Sequence, residues 1–228
     1  MLAKKKKLSR KQIKEDKLVA SYAKVLEFYE EYQSKILMGL GAIAVIIVVV
    51  VLYTSKVVED NRIATTQLAR VMSLYNSGAY TEAIEGRPGT NLMGLTQIVE
   101  EYGSTEQGEN AKVIIGNSYY FLEDYDMALE YYSDYSGGID LYEAAALGGM
   151  ANCYAAKGDI ENAAEYYKKA ASVSATVPMT AEYLLNSGIN YIKIGDNNEA
   201  EILLQRIKDE FRNSSVASKV DKYLAEIK

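Results

Sequence analysis

The apolar positions of this chain form one continuous run and, beyond it, a periodic pattern. The run begins at Ile36 and ends at Tyr53, and it contains neither a charged residue nor a proline. As a helix it spans about 27 Å, close to the roughly 30 Å hydrocarbon core of a bilayer. The pattern therefore predicts a transmembrane helix over residues 36–55.

Beyond the run, apolar residues recur at helical spacing, and short turns separate the segments. Residues 109–135 and 142–172 are typical of helices of this kind, and the whole chain contains only two prolines. The remaining residues are numerous enough for one domain with a sizeable core. The prediction is an all-α protein.

Charge is divided unevenly by the run. Ten of the 25 basic residues and five of the 31 acidic residues precede it, so the charge is +5 before the run and −11 after it. Positively charged flanks stay on the cytoplasmic side of a membrane. The sequence thus predicts a basic cytoplasmic segment over residues 1–35 and an extracytoplasmic domain over residues 56–228, in the periplasm if the membrane is a bacterial inner membrane.

A cleaved signal peptide is the main alternative for the run. It is disfavoured because the preceding basic region is long, the apolar stretch exceeds the ~7–15 residues of a signal core, and the exit lacks an A-x-A-like site. A lipoprotein is excluded because the single cysteine, Cys153, lies far from the N-terminus. We therefore expect an uncleaved single-pass anchor.

An amphipathic face precedes the run at spacings of four and three residues. It consists of Leu18, Tyr22, Val25, Tyr29 and Tyr32. This face either lies on the membrane, packs against a partner membrane protein, or merely extends the transmembrane helix.

The four lysines at positions 4–7 suggest nucleic acid or anionic lipid as partners. Their place beside an apolar run already explains them as a topology signal. The 20 tyrosines of the chain lie mostly in an acidic region without the basic neighbours that nucleic acid requires. We expect no nucleic-acid partner.

Three segments of the periodic region align with one another. Each has a small residue, a tyrosine three positions later, an aspartate at a turn, an alanine, and a large residue. The sets are Gly116, Tyr119, Asp124, Ala128 and Tyr132; Ala151, Tyr154, Asp159, Ala163 and Tyr167; and Gly188, Tyr191, Asp196, Ala200 and Leu204. The pattern resembles the tetratricopeptide repeat, a helix pair of about 34 residues.

Each residue type that recurs in the three segments has a physical reason. The small residue lets the two helices approach closely and the tyrosine fills the space between them. A glycine such as Gly158 ends the first helix, and the aspartate caps the second. Because a single pair cannot bury its apolar stripe, the pairs must stack.

The repeats extend in both directions from these three segments. A degenerate copy covers residues 64–102, with a loop at residues 86–91 before the second helix resumes at Leu92. An amphipathic closing helix is expected over residues 214–227. The predicted fold is a transmembrane helix followed by a tetratricopeptide-repeat α-solenoid of about four repeats and a cap.

The composition lacks most of the residues that catalytic sites use. The chain has no histidine and one cysteine, so neither a Ser-His-Asp triad nor a histidine-based metal site can be built. The acidic turn at residues 123–126 lacks the spacing of a calcium loop. We expect a protein that is not an enzyme and has no cofactor; a hydrolase using an acid pair is the remaining enzymatic alternative.

The resemblance implies a partner-binding groove lined by the first helices. Apart from Lys193 the groove lacks the basic residues of carboxylate-binding repeats, so apolar or helical protein segments are the expected ligands, with Asn117 and Asn152 bonding to their backbone. The alternative is that these side chains only pack the superhelix. The groove positions are Leu68, Met72, Tyr75, Val113, Asn117, Tyr120, Phe121, Asn152, Leu185 and Ile189.

The whole organisation is similar to the YfgM-type ancillary subunits of the Sec translocon in Gram-negative bacteria. That resemblance implies a membrane-anchored, protein-binding scaffold of the inner membrane. Its partners would be translocon subunits, periplasmic chaperones or exported chains. The alternative is an organiser of cell division or of outer-membrane and peptidoglycan assembly.

Overall fold

The computed structural model of the protein describes the backbone of residues 10–227 and the side chains of residues 19–227. The lysines at positions 4–7 and the side chain of Leu18 lie outside the described residues. The chain divides into two compact units, Met1–Lys56 and Val57–Lys228. Helices dominate both units, and the described residues form no strand beyond one isolated bridge between Gly86 and Met93.

The described residues of the first unit belong to helix α1, which begins at Arg10. The same helix continues into the second unit and ends there at Asn76. It is long and apolar enough to cross a membrane. The large apolar side chains from Leu37 to Tyr53 are each more than half exposed. A helix from the core of a soluble protein would bury such side chains. Their exposure is instead typical of a membrane anchor or of a signal sequence.

The second unit is built of helix pairs in chain order. The last turns of α1 pack with two short helices, α2 and α3, and three longer pairs and a closing helix follow. The bounds are α2 Tyr80–Glu85, α3 Leu95–Tyr102, α4 Glu106–Phe121, α5 Tyr125–Ser133, α6 Asp140–Ala156, α7 Ile160–Val173, α8 Thr180–Lys193, α9 Asn197–Glu210 and α10 Ala217–Glu226. The predicted all-α solenoid of about four pairs and a cap is confirmed.

The turns within the pairs have the predicted chemistry. Asp124, Asp159 and Asp196 each accept a hydrogen bond from the backbone N–H three residues later, at 3.1–3.2 Å. These side chains satisfy donors that the first turn of a helix leaves without a partner. Gly158 and Gly195 precede the caps with φ of +80° and +85°. Glu123 occupies the same left-handed position at φ +62°, although it carries a side chain.

The loop of the first pair is longer than the sequence predicts. Helix α3 begins at Leu95 rather than at Leu92. The reason is that Gly86 and Met93 pair as an isolated bridge, which holds residues 92–94 out of the helix. Gly94 lies against the backbone of Glu85, where a Cβ atom would overlap it.

The core forms three clusters along the second unit. The first cluster joins α1 to α4 around Val71, Leu95 and Ile115, and the last joins α6 to α10 around Leu184 and Leu204. Between them Tyr132 packs with Met150 and Cys153 of α6. Each cluster draws on more than one helix pair, which is how a solenoid stabilises its units.

Candidate protein-interaction surface

Two asparagines of the predicted groove are hydrogen-bonded to tyrosines of their own repeats. The Tyr132 hydroxyl donates to Oδ1 of Asn117 at 2.7 Å, and the Tyr167 hydroxyl donates to Oδ1 of Asn152. Each asparagine lies on a first helix and each tyrosine on the second helix of the same pair. One acceptor position of each amide oxygen is therefore already occupied, which leaves fewer positions for a bound peptide.

The third pair replaces this polar contact by an apolar one. Ile189 stands where the other repeats have asparagine, and Leu204 stands where they have tyrosine. Gly188 lies close to Leu204, since a Cβ atom there would be 3.1 Å from Leu204 Cγ. Both members of the contact change together, so no amide is left without a donor.

The ring of Tyr132 is held between glycines of two helices. A Cβ atom at Gly116 of α4 would lie 2.6 Å from Tyr132 Cε1, and one at Gly149 of α6 would overlap Cζ. The ring is only 3% exposed. Burial is the main cause that raises the pKa of Tyr132 far above its ordinary value, and the nearby Cys153 adds to it. The hydroxyl therefore stays protonated and donates.

Burial also keeps the only cysteine unreactive. Cys153 is free and fully buried, and desolvation raises its thiol pKa to about 11. A thiolate is the reactive form, so this side chain acts as a small core residue. In the part of the chain that the structure describes, no group of acidic, histidine or cysteine residues is arranged to hold a metal ion.

The predicted groove residues differ widely in exposure. Leu68, Val113 and Leu185 are at most 7% exposed and pack in the core, so they support the surface from below and offer a partner little contact area. Phe121, in contrast, is 54% exposed. The remaining six are partly exposed: Met72, Tyr75, Asn117, Tyr120, Asn152 and Ile189.

Three of the ten predicted groove residues, Tyr75, Tyr120 and Phe121, form a continuous row of rings with two further tyrosines. This row is here called the aromatic strip. Tyr80 stacks on Phe121 at 4.9 Å between ring centroids and meets Tyr75 at 5.6 Å. Tyr120 lies 5.8 Å from Phe121 and 5.7 Å from Tyr125. The strip, made of Tyr75, Tyr80, Tyr120, Phe121 and Tyr125, thus crosses α1, α2, α4 and α5.

Sequence reasoning missed Tyr80 and Tyr125 because it assigned the surface to first helices only. Each of these tyrosines is the first residue of the second helix of its pair. That shared position is visible in the sequence and is the signal that could have identified both rings. Tyr125 meets Tyr120 within one helix pair, whereas Tyr80 meets Phe121 because consecutive pairs stack side by side.

Lys112 is the main buried charge of this region. Its Nζ pairs with Glu109 at 2.7 Å and with Asp134 at 2.9 Å, and it also donates to the Asp134 carbonyl. Burial lowers the pKa of Lys112, but the bonds to the two carboxylates outweigh burial and raise it. The charge is fully engaged and connects α4 to the end of α5, so it serves structure.

Comparison with known proteins identifies the type of repeat. Residues 142–209 match the family model of the tetratricopeptide repeat. No curated protein matches the chain. The matched residues contain most of α6 and α7 to nearly the end of α9, which are the second and third of the aligned copies. Repeats of this type mediate protein–protein contacts and are not themselves catalytic.

Proposed function

We propose that this protein is a non-enzymatic scaffold that holds other proteins at a membrane. The observation that carries the proposal is the tetratricopeptide match over residues 142–209, since such repeats bind proteins. The partly exposed aromatic side chains of the first helices support it, because partner surfaces are enriched in aromatic residues.

The anchoring part of the proposal is supported by exposure and charge. The apolar side chains from Leu37 to Tyr53 lack protein neighbours that would bury them, as a lipid-facing helix requires. The basic excess before the run favours a cytoplasmic N-terminus. The arrangement proposed is a cytoplasmic segment over residues 1–35, a transmembrane helix over 36–55, and a periplasmic domain over 56–228 at a bacterial inner membrane.

The partners proposed are subunits of the Sec translocon, periplasmic chaperones or emerging exported chains. Support comes from the similarity in organisation to YfgM-type proteins: one apolar N-terminal helix followed by tetratricopeptide-type helix pairs. A scaffold beside the translocon would bind chains or chaperones as they meet on the far side of the membrane. The cytoplasmic helix, with Tyr22 and Val25 exposed, offers a second contact to a membrane partner.

Site-directed crosslinking in living cells tests this proposal. A photo-crosslinking amino acid at Ala156, exposed on α6 one helical turn after the groove residue Asn152, is compared with the same amino acid at Ile202, exposed on α9. We expect translocon or chaperone subunits to be joined to the protein at the first position and not at the second. Recovery of division or peptidoglycan-assembly proteins instead would favour the alternative, and the absence of any specific adduct at Ala156 would contradict a binding role for that surface.

A further inference from the structure

The aromatic strip carries an exposed apolar patch where the rest of the domain has isolated side chains. Phe121 and Leu122 are 54% and 43% exposed. Among the described residues of the Val57–Lys228 unit, no other large hydrophobic side chains are both exposed and consecutive. An exposed apolar pair that is continuous with stacked rings marks a contact surface.

The patch is rigid as well as exposed. Phe121 lies almost parallel to Tyr80, with 12° between the ring planes, and Tyr80 belongs to the preceding helix pair. Rings that are already stacked lose little side-chain entropy when a partner binds. The strip is therefore preorganised for contact in the unbound protein.

Negative charge lies beside the strip in the turn that joins Phe121 to Tyr125. Glu123 and Asp124 of this turn are both exposed. Because the turn is only three residues long, both acidic residues are near neighbours of these two rings in the chain.

Two cations of the domain pair with carboxylates that follow strip tyrosines in the chain, Glu82 after Tyr80 and Asp126 after Tyr125. Arg87 bonds to Glu82 at 2.7 Å, and Lys157 bonds to Asp126. Neither is free to neutralise the acidic residues around the strip. A partner with positive charge is favoured at such a surface, and an acidic partner is repelled.

Elsewhere in the domain, tyrosine faces are covered by lysines of the chain itself. Lys169 Nζ lies 4.5 Å from the ring centroid of Tyr166, and Lys168 Nζ lies 6.0 Å from that of Tyr191. Within the described residues, no lysine or arginine is placed in this way over a ring of the aromatic strip. The strip thus presents aromatic faces to a cation that the chain does not supply.

We infer that the aromatic strip is a docking site for protein segments in which a lysine or arginine stands next to an aromatic or large aliphatic residue. The apolar side chain packs beside Phe121 and Leu122. The cation lies over a ring face and near the carboxylates of Glu123 and Asp124. This inference rests on the proposed scaffold function and adds the place and the chemistry of recognition.

Peptide binding to the full chain in detergent micelles tests the inference. The probes are four fluorescent peptides with the same Gly-Ser flanks and a central pair that is Phe-Arg, Phe-Glu, Ser-Arg or Ser-Glu. We expect the Phe-Arg peptide to bind at least about tenfold more tightly than each of the others, because only it offers both groups. Equal binding of the Phe-Glu peptide, or no preference among the four, would overturn the inference.

Variants locate the binding. Phe121→Ala removes the most exposed ring and is expected to weaken Phe-Arg binding about tenfold. Ile202→Ala, which removes a side chain 63% exposed on α9, is expected to leave it unchanged. The charge variant Glu123→Gln should reduce affinity and its dependence on salt, since it removes one exposed carboxylate beside Phe121 and replaces no ring. An effect of Ile202→Ala equal to that of Phe121→Ala would contradict the assignment.

Failure of this inference is distinguishable from failure of the proposed function. If crosslinking from Ala156 captures protein partners in cells while Phe121→Ala leaves both their yield and peptide binding unchanged, the scaffold role stands and the aromatic strip is not the docking site. If no partner is captured in cells and yet the Phe-Arg preference depends on Phe121, the site stands and the proposed cellular role falls.

Discussion

The Tyr132 hydroxyl donates a hydrogen bond of 2.7 Å to Asn117, fifteen residues earlier on the facing helix. The same contact recurs between Tyr167 and Asn152, at the same sequence separation. In the last pair the two positions hold Leu204 and Ile189. The two residues of each contact are therefore matched in polarity, as expected when an unpaired amide inside a helix pair is unfavourable.

Breaking one side of this contact should cost stability, and changing both sides should restore part of it. We expect Tyr132→Leu to lower the free energy of unfolding by several kcal/mol, since it loses ring packing and leaves Asn117 without its donor. The double variant Tyr132→Leu with Asn117→Ile copies the third pair and should recover about 1 kcal/mol of that loss. Thermal unfolding of the full chain in detergent, followed by circular dichroism, measures both; a double variant no more stable than Tyr132→Leu would contradict the coupling.

The two glycines that face Tyr132 should tolerate a methyl group less well than Gly188, which faces Leu204. Gly149→Ala and Gly116→Ala place a Cβ atom against a ring that is confined on both sides, and we expect a loss of about 1–3 kcal/mol for each. At Gly188→Ala the Cβ atom lies 3.1 Å from Leu204 Cγ, a longer approach than at the other two glycines, and helix propensity improves by about 1 kcal/mol, so the change should be nearly neutral. Unfolding midpoints of the three variants check the order, which a more harmful Gly188→Ala would refute.

Glu123 should be replaceable by glycine with a gain in stability. Its φ of +62° is unfavourable for a residue with a Cβ atom, and the corresponding turns use Gly158 and Gly195. Glu123→Gly relieves this strain, and we expect a net gain of about 0.5–1 kcal/mol after the entropy of glycine is subtracted. The matched reverse variant, Gly158→Glu, should lose a similar amount. Thermal midpoints that move in the opposite directions would contradict this account.

Alkaline pH should unfold the repeats. Burial raises the pKa of Tyr167 from 10.0 to about 12, and the pKa of Tyr132 is raised further in the same direction. Below pH 10 both tyrosines are protonated in the folded and the unfolded state, so their contribution to stability does not change with pH. Between pH 10 and 12 the unfolded chain loses the proton that the folded chain retains, so the free energy of unfolding falls as pH rises.

Absorbance of tyrosinate near 295 nm, recorded together with helicity, checks this expectation. A rise in absorbance should coincide with the loss of helix, when Tyr132 and Tyr167 become accessible to solvent. Tyr167→Phe should reduce that rise. Complete titration of all tyrosines near pH 10 with the helices intact would show that these rings are not buried.

Labelling of introduced cysteines can measure the orientation of the chain in the membrane, because only one native cysteine has to be replaced first. In a Cys153→Ser background, Ser215→Cys places a thiol on an exposed residue of the domain, and Ser9→Cys places one in the basic segment. We expect a membrane-impermeant maleimide to label the first in cells with a permeable outer membrane and the second only after lysis. A shortened chain lacking Ser9 would instead indicate a cleaved signal sequence.

Several features of this protein follow from the sequence alone because they depend on near neighbours in the chain. The apolar run from Ile36, the charge difference across it, and the aspartate caps such as Asp159 are properties of contiguous residues. The helix pairs follow from periodicity, since residues three or four apart share a face of a helix.

Only the tertiary structure decided which of the predicted groove residues reach the surface. Val113 and Phe121 lie on the same helix and were predicted for the same groove, yet one is in the core and the other is 54% exposed. Tyr80 and Phe121 stack although 41 positions separate them. Such contacts depend on how one helix pair packs against the next. Close packing between repeats, as at Gly149 and Tyr132, determines that arrangement, and no local pattern in the sequence predicts it.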